Sequence, residues 1–243
     1  MRRAAALVTA LAVSTGLVAA PALAGPPYLT DDPEPVELGH WEVYAASQWV
    51  LTRGAADGTA PHVEVNYGAL PDVQLHVIIP AALVVRTSEP TQYGLGDVEL
   101  GVKYRFVDEG NRRPQVGTFP LLELPTGSAS RGLGFGRVQA LLPIWIQKSF
   151  GRWTTYGGGG VLLASGEHDA VAGWLVQRRL GNSVTVGTEA FLTVPLSQGS
   201  AEIRINLGLV VDFSALQHLL LSAGPAFGAE RGAQGYCAYL LAI

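Results

Sequence analysis

Ten consecutive residues in the stretch GDVELGVKYRF alternate without a break. Asp97, Glu99, Gly101, Lys103 and Arg105 take one parity, and Val98, Leu100, Val102, Tyr104 and Phe106 take the other. The stretch EIRINLGLVVDF repeats the pattern, with Glu202, Arg204, Asn206, Gly208 and Asp212 opposed to Ile203, Ile205, Leu207, Leu209, Val211 and Phe213. Successive side chains of a strand point to opposite faces, so each segment is a strand with one charged face and one oily face. A soluble sandwich and a membrane barrel both alternate in this way. They differ in which face is turned outward.

Connector lengths separate the two. The pattern predicts twelve strands, at about 41–51, 62–69, 73–85, 97–107, 114–125, 137–149, 153–163, 170–180, 183–194, 202–213, 218–227 and 235–243. Between them, long connectors such as TRGAADGTAP, RTSEPTQYGLG and TGSASRGLGFG take turns with short ones such as LPD, the Gly151-Arg152 pair and the Gly181-Asn182 hairpin. Outer-membrane barrels have short periplasmic turns and longer external loops, and an even strand count puts both chain ends on the short-turn side. The expected fold is all-β, a transmembrane antiparallel up-and-down β-barrel of about 12 strands over residues 41–243.

The rest of the chain agrees with export to an outer membrane. Arg2 and Arg3, an apolar stretch from Ala4 to Ala20 and the small-residue site Ala22-Leu23-Ala24 read as a cleaved signal peptide over 1–24. No apolar run beyond it approaches the 18 residues of a membrane helix, yet 48% of residues are hydrophobic and only 15% charged. Cys237 is the single cysteine, so no disulfide within the chain can stabilise it. The net charge of −4 gives no encouragement to nucleic-acid binding. Trp41, Trp49, Tyr67, Tyr104, Phe106, Trp153, Trp174, Phe213, Phe227 and Tyr239 fall near strand ends or on the oily face, where interfacial girdles need amphipathic rings.

The stretches TDDPEPVELGHWE, YGLGDVELGVKYRF, FPLLELPTG and LLPIWIQKSFGRWTTYGGGG resemble those of bacterial outer-membrane transporters assigned to the meta-pathway of phenol degradation. The similarity runs across most of the mature chain. It implies a barrel of the Gram-negative cell outer membrane, embedded in lipid by the barrel assembly machinery and taking up small, often aromatic or hydrophobic solutes. The family defines no catalytic residues. This chain departs from the usual assembly signal by closing on Ile243, where an aromatic residue is usual.

Projecting the polar parity inward gives an expected lumen wall of Glu42, Glu64, His76, Asp97, Glu99, Lys103, Arg105, Glu123, Arg179, Glu189, Glu202, Arg204 and Asp212, together with Gln48, Asn66, Gln74, Gln115, Gln139, Gln147 and Gln177. Acids outnumber bases among them, which would favour cations and neutral polar solutes over anions. The other reading is that these charges pair across the barrel and close it.

Catalytic and metal motifs are absent from the sequence: the five histidines form no HExxH pair, and neither GxSxG nor GxxxxGK[ST] occurs. Ser165, His168 and Asp169 in ASGEHDA are explained by a polar external loop. The cluster GLGFG at 132–136 lacks the helix and lysine of a phosphate loop and reads as a flexible external loop. No enzyme, cofactor or metal site is expected. Ahead of the first strand, residues 25–40 form an acidic, proline-rich leader on the periplasmic side. Its carboxylates Asp31, Asp32 and Glu34 leave two main readings, a solvated tether or a plug folded into the lower mouth; calcium binding is a minor third, since an EF-hand spacing is missing.

Overall fold

A computed structural model describes residues 27–228 and 231–243. The expected signal peptide lies outside the described residues. The strands are β1 (Trp41–Thr52), β2 (Ala55–Leu70), β3 (Val73–Arg86), β4 (Glu89–Leu95), β5 (Val98–Val107), β6 (Gln115–Thr118), β7 (Leu121–Leu124), β8 (Gln139–Phe150), β9 (Trp153–Ala164), β10 (Glu167–Leu180), β11 (Val184–Pro195), β12 (Glu202–Asp212), β13 (Gln217–Phe227) and β14 (Arg231–Ala242). Both β4 and β5 pair with β3, and both β6 and β7 pair with β8, so each couple is one interrupted stave. Twelve staves result, all antiparallel to their neighbours. The sheet closes where β1 pairs with β14, from Glu42 opposite Ala242 to Leu51 opposite Ala233.

Closure pairs both edges of every described strand except β4, whose only strand partner is β3, and it brings the first and last residues of the sheet together at Trp41 and Ile243, which exchange backbone hydrogen bonds of 2.8 Å. The face of the alternation turned outward is the oily one. Leu100, Val102, Leu142, Ile144, Ile146, Ile203, Ile205 and Leu207 are all exposed on the outer surface. A soluble sandwich buries this face; only lipid makes its exposure favourable. Exposed aromatic rings gather at both ends of the belt. Trp41, Tyr104, Phe106, Phe150, Trp153 and Phe213 lie at the end that carries the termini, and Tyr93 and Phe227 lie at the other.

Two expectations about the far end need correction. The predicted long connectors after the first, third and seventh staves are mostly wall: β2 begins at Ala55, β4 occupies Glu89–Leu95 and β10 begins at Glu167. Glycine-rich and charged residues concealed the strand continuation, because β-propensity is weak where a sheet projects beyond an apolar environment. The second correction concerns residues 125–138. This segment lies at the far end and is mostly exposed, but it is not free: after a short 3-10 turn at Ala129–Arg131 it turns inward at Leu133, which is buried against the inward side chains Ala82 and Val84.

Candidate functional site

The inner wall is not an open bore. Residues 27–38 run through it as an irregular ribbon that enters beside β2, where Gly39 N–H donates to Gly68 O at 2.8 Å and Leu38 bridges Gly68. Pro33 and Pro35 keep the ribbon out of the sheet by removing two backbone donors. The solvated-tether reading of Asp31, Asp32 and Glu34 is therefore corrected, because proline-rich acidic composition describes what the segment cannot pair with and not where it lies.

Each carboxylate has a partner on the wall. Asp31 lies 2.9 Å from Lys103 Nζ and Asp32 lies 3.6 Å from it. Glu34 accepts from Gln115 at 3.2 Å and from Gln147 at 3.1 Å. Further along, the N–H groups of Leu29 and Thr30 donate to Glu189, Val36 N–H donates to Gln74, and Ser222 Oγ donates to Pro27 O at 2.5 Å. Asp32 is completely buried, and that burial pushes its carboxyl up to about 7, with Asp31 and Glu34 adding repulsion while Lys103 and the Glu34 N–H oppose the rise.

Glycines on the lumen parity make the room. A Cβ at Gly208 would stand 2.2 Å from the Tyr28 hydroxyl, one at Gly187 2.4 Å from the same atom, one at Gly173 2.0 Å from Thr30 Oγ1, and one at Gly117 2.9 Å from Pro33. The shelf on which the ribbon rests is thus made of missing side chains contributed by four staves. Tyr44, Trp145, Tyr156, Leu175 and Leu240 fill what the ribbon leaves.

Between the ribbon and the wall of β1, β2 and β3 lies a cavity of about 160 Å³, bordered by Tyr28, Asp31, His62, Glu64, His76 and Tyr236. His76 is its organiser: Nδ1 is 2.6 Å from Asn66 Oδ1 and Nε2 is 3.0 Å from Glu99, while Asn66 donates to Glu64 at 2.9 Å. Toward the far end a second cavity of about 370 Å³ is bordered by Val50, Pro80, Ala82, Val84, Leu133 and Phe135. Gln48 borders both. Asp97 holds the inward loop beside this second space, accepting from Gly127 N–H at 2.8 Å and Phe135 N–H at 2.6 Å.

The remaining predicted wall residues are scattered. Arg105 pairs with Asp72 and Asp108, and Asp212 lies 2.8 Å from His218, both at the short-turn end. Glu202 pairs with Arg204, Glu123 accepts from Gln139 at 3.4 Å, and Glu42 accepts from Tyr44 at 2.7 Å. Arg179 makes no side-chain hydrogen bond among the described residues. His168 and Asp169 are adjacent on β10 and so face opposite ways, with Ser165 in the preceding hairpin. Among the described residues no three metal-ligating side chains gather as a site.

Comparison of the sequence with protein-family models and with curated proteins finds no match. Comparison of the structure does. The COG4313 outer membrane channel from Pseudomonas putida F1 superposes with a TM-score of 0.71 at 14% identity, covering 87% of this chain and 98% of that one. The translocator domain of the autotransporter NalP from Neisseria meningitidis gives 0.58 at 12% identity over 83% and 88%, and the KdgM porin gives 0.57 at 8% over 82% and 98%. The fold is that of an outer-membrane barrel. At such identities the likeness is one of architecture.

Parity reasoning reached the inner wall but missed what stands against it. Tyr28, Thr30 and the inward loop lie outside the predicted strands, while Phe119 and Ser222 share the inward parity of theirs, Phe119 without being polar. The usable signal was glycine on the inward parity: Gly117, Gly173, Gly187 and Gly208 all mark a place where something else fills the bore.

Proposed function

We propose that the chain is an outer-membrane channel for small solutes whose pore is closed by its own N-terminal segment. The observation that carries this reading is the junction between ribbon and wall. The obstruction is a separate stretch of chain, resting on glycines and joined to the wall by side-chain contacts such as Lys103 with Asp31, so its withdrawal would clear the part of the lumen beside Gly117, Gly173, Gly187 and Gly208. A barrel that is merely structural has no need of a separable filling.

The solved barrels of like architecture named a channel and a porin support transport, and the resemblance to the phenol-pathway transporters favours small hydrophobic or aromatic solutes. The outward apolar belt supports residence in the outer membrane of a Gram-negative cell, reached through the signal peptide and inserted by the assembly machinery. The termini then face the periplasm, and the ribbon enters from that side. Acidic lumen groups favour cations over anions among charged solutes.

The competing reading is a permanently closed barrel, favoured by the completeness of the pairing between ribbon and wall. Liposome swelling separates them. Vesicles holding the barrel without residues Gly25 to Glu34 should admit sugars, amino acids or small aromatics faster than vesicles holding the full chain; equal, lipid-like permeability of both would leave the closed barrel.

A further inference from the structure

The lumen face of β3 changes character along its length. From the end carrying the termini it reads Gln74, His76, Ile78, Pro80, Ala82 and Val84, so polar wall gives way to apolar wall at the level of the second cavity. Opposite, β1 presents Val50, and the inward loop contributes Leu133 and Phe135. Apolar side chains facing the bore of a water-filled pore are unfavourable unless something covers them. Leu133 covers Ala82 and Val84 in part, and about 370 Å³ beside it stays open. That volume is within the ~300–1,000 Å³ of small-molecule sites.

The polar groups bordering this space are nearly all engaged. Asp57 is held by both terminal nitrogens of Arg86, at 2.5 and 3.0 Å. Both oxygens of Asp97 accept loop N–H groups, Glu123 faces Gln139, and Thr59 Oγ1 is 2.6 Å from His62. Gln48 is different. It borders both cavities and makes no side-chain hydrogen bond among the described residues, so its amide is left to address an occupant.

Resting on the channel reading above, we propose that this far-end cavity is a solute-binding site for a neutral, mainly apolar molecule bearing a single hydroxyl or carbonyl, which Gln48 recognises. The carboxylates Asp97 and Glu123, which face no cation there, repel anions, and the apolar wall offers a cation or a sugar too few partners to replace its hydration. The Asp97-held loop forms the fourth wall. A solute there would be separated from the ribbon by the first cavity, with Gln48 bordering both spaces.

The test uses the full chain in lipid nanodiscs and fluorine NMR of 4-fluorobenzyl alcohol, with empty nanodiscs subtracting partition into lipid. Saturable broadening is expected for the native protein. Ala82→Phe fills the cavity from β3 and Val50→Phe fills it from β1; each should abolish the saturable part while keeping heat-modifiable gel migration. Gln48→Leu, which removes no side-chain hydrogen bond among the described residues, should weaken the alcohol about fivefold or more but leave 4-fluorotoluene unchanged. 4-Fluorobenzoate should not bind. Undiminished alcohol binding in either folded filling variant, equal weakening of alcohol and fluorotoluene by Gln48→Leu, or saturable benzoate binding would overturn the proposal. Because the experiment needs no current, a barrel that binds yet never conducts would sink the channel reading and leave the site intact.

Discussion

The Lys103 ammonium lies 2.9 Å from the Asp31 carboxylate, and with this contact the wall of the barrel grips a segment that is no part of the wall. Lys103 is almost wholly buried and also neighbours Asp32 at 3.6 Å. Removing one partner of such a cluster leaves the others desolvated without compensation, at a cost of about 3–5 kcal/mol. Lys103→Met should therefore expel the ribbon while the sheet stays closed. With Thr30→Cys in a Cys237→Ser background, a water-soluble maleimide should label position 30 slowly in the parent and rapidly beside Lys103→Met. Equal labelling would show that the ion pair does not hold the ribbon.

The glycine shelf gives a second route to the same displacement without altering any charge. Gly208→Val places carbon where the Tyr28 hydroxyl lies, 2.2 Å from the Cβ position, so the ribbon must yield at that end. Adding Tyr28→Ala removes the clash. Maleimide labelling at position 30 should rise in Gly208→Val and return toward the parent rate in the double variant; failure of the second change to restore protection would mean that the valine perturbs the wall itself.

Docking of the ribbon should weaken as pH rises. The Asp32 carboxyl is pushed up to about 7 in place, chiefly by burial, whereas a solvated aspartate titrates near 3.9. The docked ribbon thus takes up a proton that the released one lacks. This contribution is fully present below about pH 4, is lost progressively between about pH 4 and 7, and is flat above. Lys103, Asp31, Glu34 and Tyr156 face the same carboxylate, and His76 titrates nearby, so the control is Asp32→Asn. Divided at each pH by the rate of the same cysteine in the Lys103→Met background, which removes the thiol's own acceleration by ionisation, labelling at position 30 should rise from pH 5 to pH 8 in the parent and lose most of that slope in the variant. A slope unchanged by Asp32→Asn would assign it to another group.

On the outer face, Leu100 is exposed near the start of β5, and so close to the middle of the stave that β4 and β5 form, opposite Val77 and Leu122. Leu100→Arg should cost about 2–4 kcal/mol of folding stability in lipid, with Leu100→Met close to neutral. Denaturant titration in lipid vesicles measures both. Equal stability of the arginine and methionine variants would contradict the placement of this face against hydrocarbon. The inward neighbour Gly101 offers no matching contrast, because a Cβ there would already stand 2.6 Å from Leu121 and 2.8 Å from Phe119.

The barrel was legible because alternation is a local property, complete within β5 and β12, and the same parity put Glu64, His76, Glu99 and Lys103 on one wall. The interior was not legible, for a physical reason. Which wall residue meets which part of the leader depends on contacts such as Lys103 with Asp31, 72 residues apart in sequence, and on Glu189 with Leu29, 160 apart. No periodic signal carries such contacts. Gly208 and Gly187 did carry a trace of them, as residues without side chains on a face otherwise polar. The inward loop failed to announce itself because GLGFG has turn composition whether it points to solvent or to the bore, and only the distant Asp97 decides between them.

The central claim is that the ribbon, and not the wall, closes the pore. Single-channel recording in planar bilayers tests it most directly, comparing the full chain with the same barrel lacking Gly25 to Glu34, each first checked for unchanged heat-modifiable migration. The account predicts a sustained current from the truncated barrel, larger than any brief openings of the full chain and less cation-selective, since three carboxylates have left the path. A truncated barrel that is correctly folded and electrically silent would contradict it.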